Sequence, residues 1–167
     1  MKLLVALGLG TCFGLTAAAQ APAPTPAGPT FCADLRAVIV ETGTSFDRFK
    51  GAQSGEPVRD ASGNTTIRYA ALRSLGGAAR CAVKDHIPQG SKALRPFECE
   101  WTPIASKIAT VTALAQAAEN CVGKNDPLDR LSTFADDGAD ADIYTDDFSI
   151  NIGAGTVPKV FFRIRDF

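Results

Sequence analysis

Residues 65–102 read TTIRYAALRSLGGAARCAVKDHIPQGSKALRPFECEWT, and this stretch decides the fold. Three runs in it alternate as strands do: Thr65–Arg73, Ala78–Asp85 and Pro96–Thr102. With Cys81 set opposite Cys99, Val83 falls opposite Phe97 and Ala79 opposite Trp101, so every inward pair is apolar or sulfur. The other face then sets Arg80 against Glu100, a complementary pair. A slip of one residue would swap the faces and destroy both patterns. On the other side Ser74-Leu75-Gly76 closes a short hairpin, which sets Ile67, Tyr69 and Ala71 against Val83, Cys81 and Ala79. The expected unit is a three-stranded meander with one apolar face.

Helical patterns flank it. Cys32, Leu35, Ile39, Phe46 and Phe49 fall on one helical face, with Thr30 as N-cap, a kink at Gly43-Thr44-Ser45 and a stop at Gly51. Thr102 and Pro103 open a second helix, whose stripe is Ile104, Ile108, Val111, Ala115, Ala118 and Val122 and whose end is Gly123. After Pro127 the period returns to two. Leu131–Ala135 and Ala141–Thr145 flank an Asp-Asp-Gly-Ala-Asp turn, Phe148, Ile150 and Ile152 alternate with polar residues, and Val160, Phe162 and Ile164 form a last strand. These patterns predict an α+β fold in the order α-β-β-β-α-β-β-β(-β), two antiparallel helices packed on one face of an antiparallel sheet.

The ends of the chain bear on its destination. Lys2, an uncharged apolar run from Leu3 to Leu15 and the small residues Ala17-Ala18-Ala19 meet the requirements of a secretory signal peptide over residues 1–19. The run is too short for a span of about 30 Å, so no membrane span is expected. Thr11 is a poor residue before a lipidated cysteine, so no lipid anchor is expected at Cys12. Residues 20–30, QAPAPTPAGPT, read as a Pro/Ala-rich tether. Residues 31–167 then form a single domain.

Without Cys12 four cysteines remain: Cys32, Cys81, Cys99 and Cys121. An even number in a small exported chain points to two disulfides, and no Cys-x-x-Cys supports a redox pair or a zinc ribbon. Of the three possible connectivities, the meander register selects Cys81–Cys99. Antiparallel helices bring Cys32 to Cys121. The framework Cys32, Gly77-Ala78, Cys81, Phe97, Cys99, Trp101 and Cys121 resembles small exported bacterial proteins of uncharacterised function. That resemblance spans residues 31–122 and implies no activity.

Without Lys2, sixteen Lys and Arg face eighteen Asp and Glu, a balance that does not suggest nucleic-acid binding. Residues 48–95 hold nine basic and three acidic residues, while residues 131–157 hold six Asp and no Lys or Arg. This asymmetry nominates Arg59, Arg68 and Arg73 on one side, and Asp136, Asp137, Asp140 and Asp142 on the other, as a steering surface for a partner.

Other motifs read as structure. His86, the single histidine, reads as a solvated turn residue. No Gly-x-Ser-x-Gly elbow accompanies it. The Asp run, which includes Asp146 and Asp147, could face Ca²⁺ but lacks the EF-hand spacing, and turn chemistry accounts for it. Gly153–Lys159 lacks the order of a phosphate loop and reads as a hairpin turn. Asn64-Thr65-Thr66 satisfies a glycosylation sequon and reads as a turn, while Phe46, Phe49, Trp101, Phe161 and Phe162 read as core. No catalytic residue, cofactor or metal is expected. The sequence therefore predicts a periplasmic or secreted, non-enzymatic binding or accessory domain of the bacterial envelope with a protein partner. The alternatives are a small envelope hydrolase using His86 or paired carboxylates, and a purely structural envelope protein.

Overall fold

The structure, a computed structural model, describes residues 26–122, 130–134, 138–155 and 158–166, the side chains of 130–134 and of residue 166 excepted. Residues 1–25, Gly123, Pro127, Asp136 and Asp137 lie outside the described residues. The fold is α+β with an antiparallel sheet, two helices and two disulfides. Its elements are α1 (Phe31–Ile39), β1 (Lys50–Gln53), β2 (Val58–Arg59), β3 (Thr65–Ala71), β4 (Arg80–Ile87), β5 (Phe97–Trp101), α2 (Lys107–Val122), β6 (Arg130–Phe134), β7 (Gly138–Tyr144), β8 (Phe148–Ala154) and β9 (Val160–Asp166).

The β4–β5 register is the one the side-chain pattern demands. Cys81 pairs with Cys99, Val83 with Phe97 and Arg80 with Glu100, and a Cys81–Cys99 disulfide crosses the pair. The β3–β4 register differs from expectation by two residues: Tyr69 pairs with Val83 and Ile67 with Asp85. A shift of two keeps every side chain on its face. It arises because the connection is no tight hairpin: Leu75 turns inward and is buried, which lengthens the loop between the strands.

Strands follow the order β1-β3-β4-β5-β9-β8-β7-β6, with β2 also paired to β3. The last strand, β9, thus enters between β5 and β8 and joins the meander to the later hairpins. Alternate residues along these strands build the core: Val83, Phe97, Cys99, Trp101, Ile150, Ile152, Phe162 and Ile164. Val111, Leu114, Ala115 and Ala118 of α2 complete this core, and α2 lies on β7, β8 and β9 while α1 lies on α2. A disulfide joins Cys32 in the first turn of α1 to Cys121 in the last turn of α2, closing a separation of 89 residues.

Both helices are shorter than the apolar periodicity predicts. α1 ends at Ile39; two single 3-10 turns follow, and Ser45 and Phe46 adopt left-handed φ values of 56° and 58°. The left-handed pair reverses the chain and buries Phe46 completely, against Phe97. The expected helix stop, Gly51, sits instead in β1, and Thr30 makes no side-chain cap. α2 starts at Lys107 and not at Pro103, because Ser106 caps it: its Oγ accepts from the Ala109 N–H at 3.1 Å. Ile104 is left half-exposed, and Leu114 and Cys121 join the stripe in its place. In the later sheet, Gly138-Ala139-Asp140 belongs to β7 and not to a turn, since Ala139 is buried opposite Ala154.

The tether is shorter than expected too. Pro26 is buried, its carbonyl accepts the Trp101 indole N–H at 2.9 Å, and the Gly28 N–H donates to the Gly76 carbonyl at 3.0 Å. Gly77, at φ +87°, makes this docking possible: a Cβ there would lie 2.0 Å from the Pro26 carbonyl oxygen. Gly77→Ala should therefore cost about 2 kcal/mol or more, since it adds a clash to an unfavourable φ. A lower urea midpoint together with altered fluorescence of the single tryptophan would register it; unchanged values would show that residues 26–28 do not dock.

Candidate functional site

Because strand side chains alternate, the residues between the core positions form a second face, turned away from α2. Across β4, β5 and β9 that face carries Lys84, Glu98, Glu100, Arg163 and Arg165. Ala82 lies directly opposite Glu98, and its small side chain leaves space there. Lys84 and Arg163 lean into that space and both bind the Glu98 carboxylate, the Arg163 Nε donating to Oε1 and the Lys84 ammonium pairing with Oε2. Glu98 is buried. Burial alone would raise its pKa, but hydrogen bonds and charge from Lys84 and Arg163 outweigh this and hold the carboxyl below the ordinary glutamate value. The Arg163 guanidinium also lies 5.2 Å from the centre of the Phe161 ring. Phe161 in turn crosses Gly153, where a Cβ would meet the ring at 2.4 Å.

Beside this cluster is a cavity of about 330 Å³, lined by Thr66, Lys84, His86, Leu94, Pro96, Glu98, Arg163 and Arg165. His86 is thus not a solvated turn residue. It lies within β4, bridged to Leu94 on one side and paired with Thr66 on the other, and its Nδ1 stands 3.1 Å from the Thr66 hydroxyl. Two further hollows, of about 570 Å³ each, flank the end of α1 near Asp146, Asp147 and Phe148. Only the first surrounds a buried charged cluster.

A second cluster forms on the same face around Glu100, which Arg80, Arg68 and Lys159 approach to 2.8, 3.1 and 3.2 Å. Partial burial would raise the Glu100 pKa, yet hydrogen bonds from Arg80, Lys159 and Arg68 bring it down from 4.5 to about 2. A depressed folded pKa stabilises the fold above the unfolded value, and that contribution is lost as pH falls from about 4.5 towards 2. Glu100→Gln should therefore flatten part of the acid limb of stability against pH, while leaving its slope near neutrality unchanged. Urea unfolding at a series of pH values checks this.

The residues nominated as a steering surface are scattered by the fold and mostly engaged. Arg68 is held by Glu100, Arg73 by Asp34 at 3.5 Å, and Arg59 donates to the Gly63 carbonyl. Asp140 and Asp142 face outward on β7, bridged by the Asn151 amide at 2.9 and 2.8 Å. Burial raises the Asp140 pKa, and the Asp142 charge adds to the effect against the Asn151 hydrogen bond. Within residues 48–95, Arg48, Lys50, Arg68, Arg73, Arg80, Lys84 and Arg95 all sit in ion pairs, several with carboxylates from outside that segment.

Other motifs fall as turn chemistry dictates. Asp60 accepts the Ser62 and Asn64 N–H groups around Gly63, which has φ +82°. The segment between Gly153 and Lys159 joins the antiparallel pair β8–β9. Phe46, Trp101 and Phe162 are core, Phe49 packs against it, and Phe161 belongs to the charged face. Among the described residues no group of three His, Cys, Asp or Glu side chains could hold a metal ion, and no helix is long and apolar enough to cross a membrane. No protein-family model, no curated protein and no solved structure matches the chain.

Proposed function

We propose that this protein is an exported, non-enzymatic binding domain of the bacterial envelope, and that it recognises its partner with the charged face of its sheet. One observation carries this reading: a buried carboxylate and two cations are assembled beside a cavity on the face that the helices leave uncovered. A buried ion pair adds little net stability over an apolar replacement of similar volume, so its presence calls for another role. In this reading α1 and α2 run antiparallel, stapled by Cys32–Cys121, and brace the inner face while the outer one stays free. The two disulfides and the apolar start of the chain support export to the periplasm or beyond.

A photo-crosslinking amino acid placed at exposed Leu94, beside the cavity, or at exposed Val40, at the end of α1, tests the proposal in envelope preparations. A discrete adduct from position 94 and none from position 40 is expected. Indistinguishable patterns from the two positions would contradict it.

One contact favours a second reading as a small hydrolase. The Thr66 hydroxyl lies within hydrogen-bond reach of His86, as a nucleophile–base pair requires. The flanking cations Lys84 and Arg163 are, however, engaged by Glu98, which favours binding over chemistry. Turnover of a panel of ester and amide substrates that His86→Gln abolishes would establish the hydrolase instead.

A further inference from the structure

We infer that the cavity beside Glu98 takes a small amphipathic organic anion: one carboxylate or phosphate head carrying a short apolar tail. This rests on the binding-domain reading above and names the ligand class for the same site.

Charge comes first. The cavity lining sets Lys84, Arg163 and Arg165 against one carboxylate, Glu98, an excess of two positive charges, with Asp140 near Arg163 outside the lining. Glu98 engages Arg163 through Nε, and the Asp140 charge also acts on this guanidinium. Arg165 is exposed, and no carboxylate among the described residues pairs with it. A carboxylate or phosphate matches a guanidinium through paired N–H···O bonds, which makes the Arg163–Arg165 side the head-group site. Glu98 is then a positioning residue: it is buried, and it anchors Lys84 and Arg163 at the cavity before any ligand arrives.

Apolar surface adjoins the head-group side. Leu94 and Pro96 line the cavity, and the Leu94 side chain is 54% exposed, an apolar surface with no structural partner to cover it. Leu94 and Pro96 lead into β5, between β4 and β9, and His86 on β4 and Thr66 on β3 lie beyond them, hydrogen-bonded to each other. At about 330 Å³ the cavity is at the lower end of small-molecule sites, far larger than a bare inorganic ion needs. Shape and lining together select a head that is charged and a tail of a few carbons.

Titration of the ¹⁵N-labelled protein at low salt separates the possibilities, with sodium octanoate, octyl phosphate, sodium acetate, inorganic phosphate and octanol as probes. Octanoate or octyl phosphate should give saturable amide shifts centred on residues 84, 86, 94, 163 and 165, at least about tenfold tighter than acetate or inorganic phosphate. Octanol should give none, and whichever octyl anion binds more tightly identifies the head. Arg165→Gln, at an exposed position that does not touch Glu98, should weaken octyl-anion binding about tenfold or more while the protein stays folded. Leu94→Ala should weaken the octyl anions and leave acetate unchanged.

No saturating shift with either octyl anion up to about 10 mM, affinity unchanged in Arg165→Gln, or acetate binding as tightly as octanoate would each overturn the inference. Octyl-anion failure alongside selective crosslinking from position 94 would leave the binding face standing and remove only the ligand class. Failure of both would remove the face as well.

Discussion

Replacing both cysteines of the Cys32–Cys121 bridge, as Cys32→Ala/Cys121→Ala, is expected to lower the unfolding free energy by about 4–5 kcal/mol. The bridge closes 89 residues, and in the chain-entropy treatment the constraint on the unfolded chain grows with the logarithm of that length. Removal of Cys81–Cys99, which spans only 18 residues, should cost about 3 kcal/mol. The order of the two effects matters more than their size. Cys81 and Cys99 are also held together by a strand pair, so the native state tolerates their loss locally. The Cys32–Cys121 bridge is the covalent tie between the two helices, and α1 packs on α2 as well as on β5 and β9 through Phe31. Urea unfolding of the two double variants measures both losses. A larger loss for the short loop would show that the chain between the helices is already constrained when unfolded.

The second large effect is at Trp101. Its indole is 2% exposed and packs edge-on to Phe31, with ring centres 6.3 Å apart, and against Phe162 at 5.8 Å. Phe31 and Phe162 meet at 5.7 Å, so α1, β5 and β9 each contribute one ring to a single aromatic cluster. Trp101→Ala would open a cavity at the junction of three elements and should cost about 3–5 kcal/mol. Trp101→Phe keeps a ring but removes the N–H that reaches the Pro26 carbonyl, leaving a buried acceptor without its donor. That variant should lose about 1–3 kcal/mol and free residues 26–28 from the body. Unfolding curves give the energies. Proteolysis near residue 26 reports release of the segment, and resistance equal to the parent would show that the indole bond does not hold it.

How much of this was legible depends on whether a feature is written locally. The β4–β5 register is local: sulfur, apolar and charged pairs agree on a single alignment of residues 79–83 with 97–101. The same pattern gave the Cys81–Cys99 bridge. Leu75 is also local in sequence, but its inward turn depends on the glycine pair that meets residues 26–31, so the β3–β4 register came out two residues away. β1 and β2 are short and mostly exposed, with no apolar alternation to announce them; they exist as partners of β3.

The site shows the same division. That Glu98 points outward follows from Phe97 and Cys99 pointing inward. What β9 places beside it does not follow, since Arg163 is 65 residues away and arrives only when β9 enters the sheet between β5 and β8. Charge counted by segment does not show which charges pair in space. The basic stretch 48–95 is largely neutralised by Asp34, Glu41, Glu98 and Glu100, which lie outside it. A partner surface is set by which charges lack a neighbour in space.

In the proposed function the Lys84–Glu98–Arg163 cluster serves recognition and not stability. Urea unfolding of Lys84→Met/Glu98→Leu/Arg163→Met decides this, with Glu98→Ala as the control that strands two cations. Burying apolar groups of similar volume in place of a buried ion cluster is often neutral or stabilising, whereas removing one partner costs about 3–5 kcal/mol. The triple variant should lie within about 1 kcal/mol of the parent or be more stable, and Glu98→Ala should lie well below both. A triple variant destabilised by about 3 kcal/mol or more, no better than Glu98→Ala, would make the cluster a structural element of the sheet and contradict the claim.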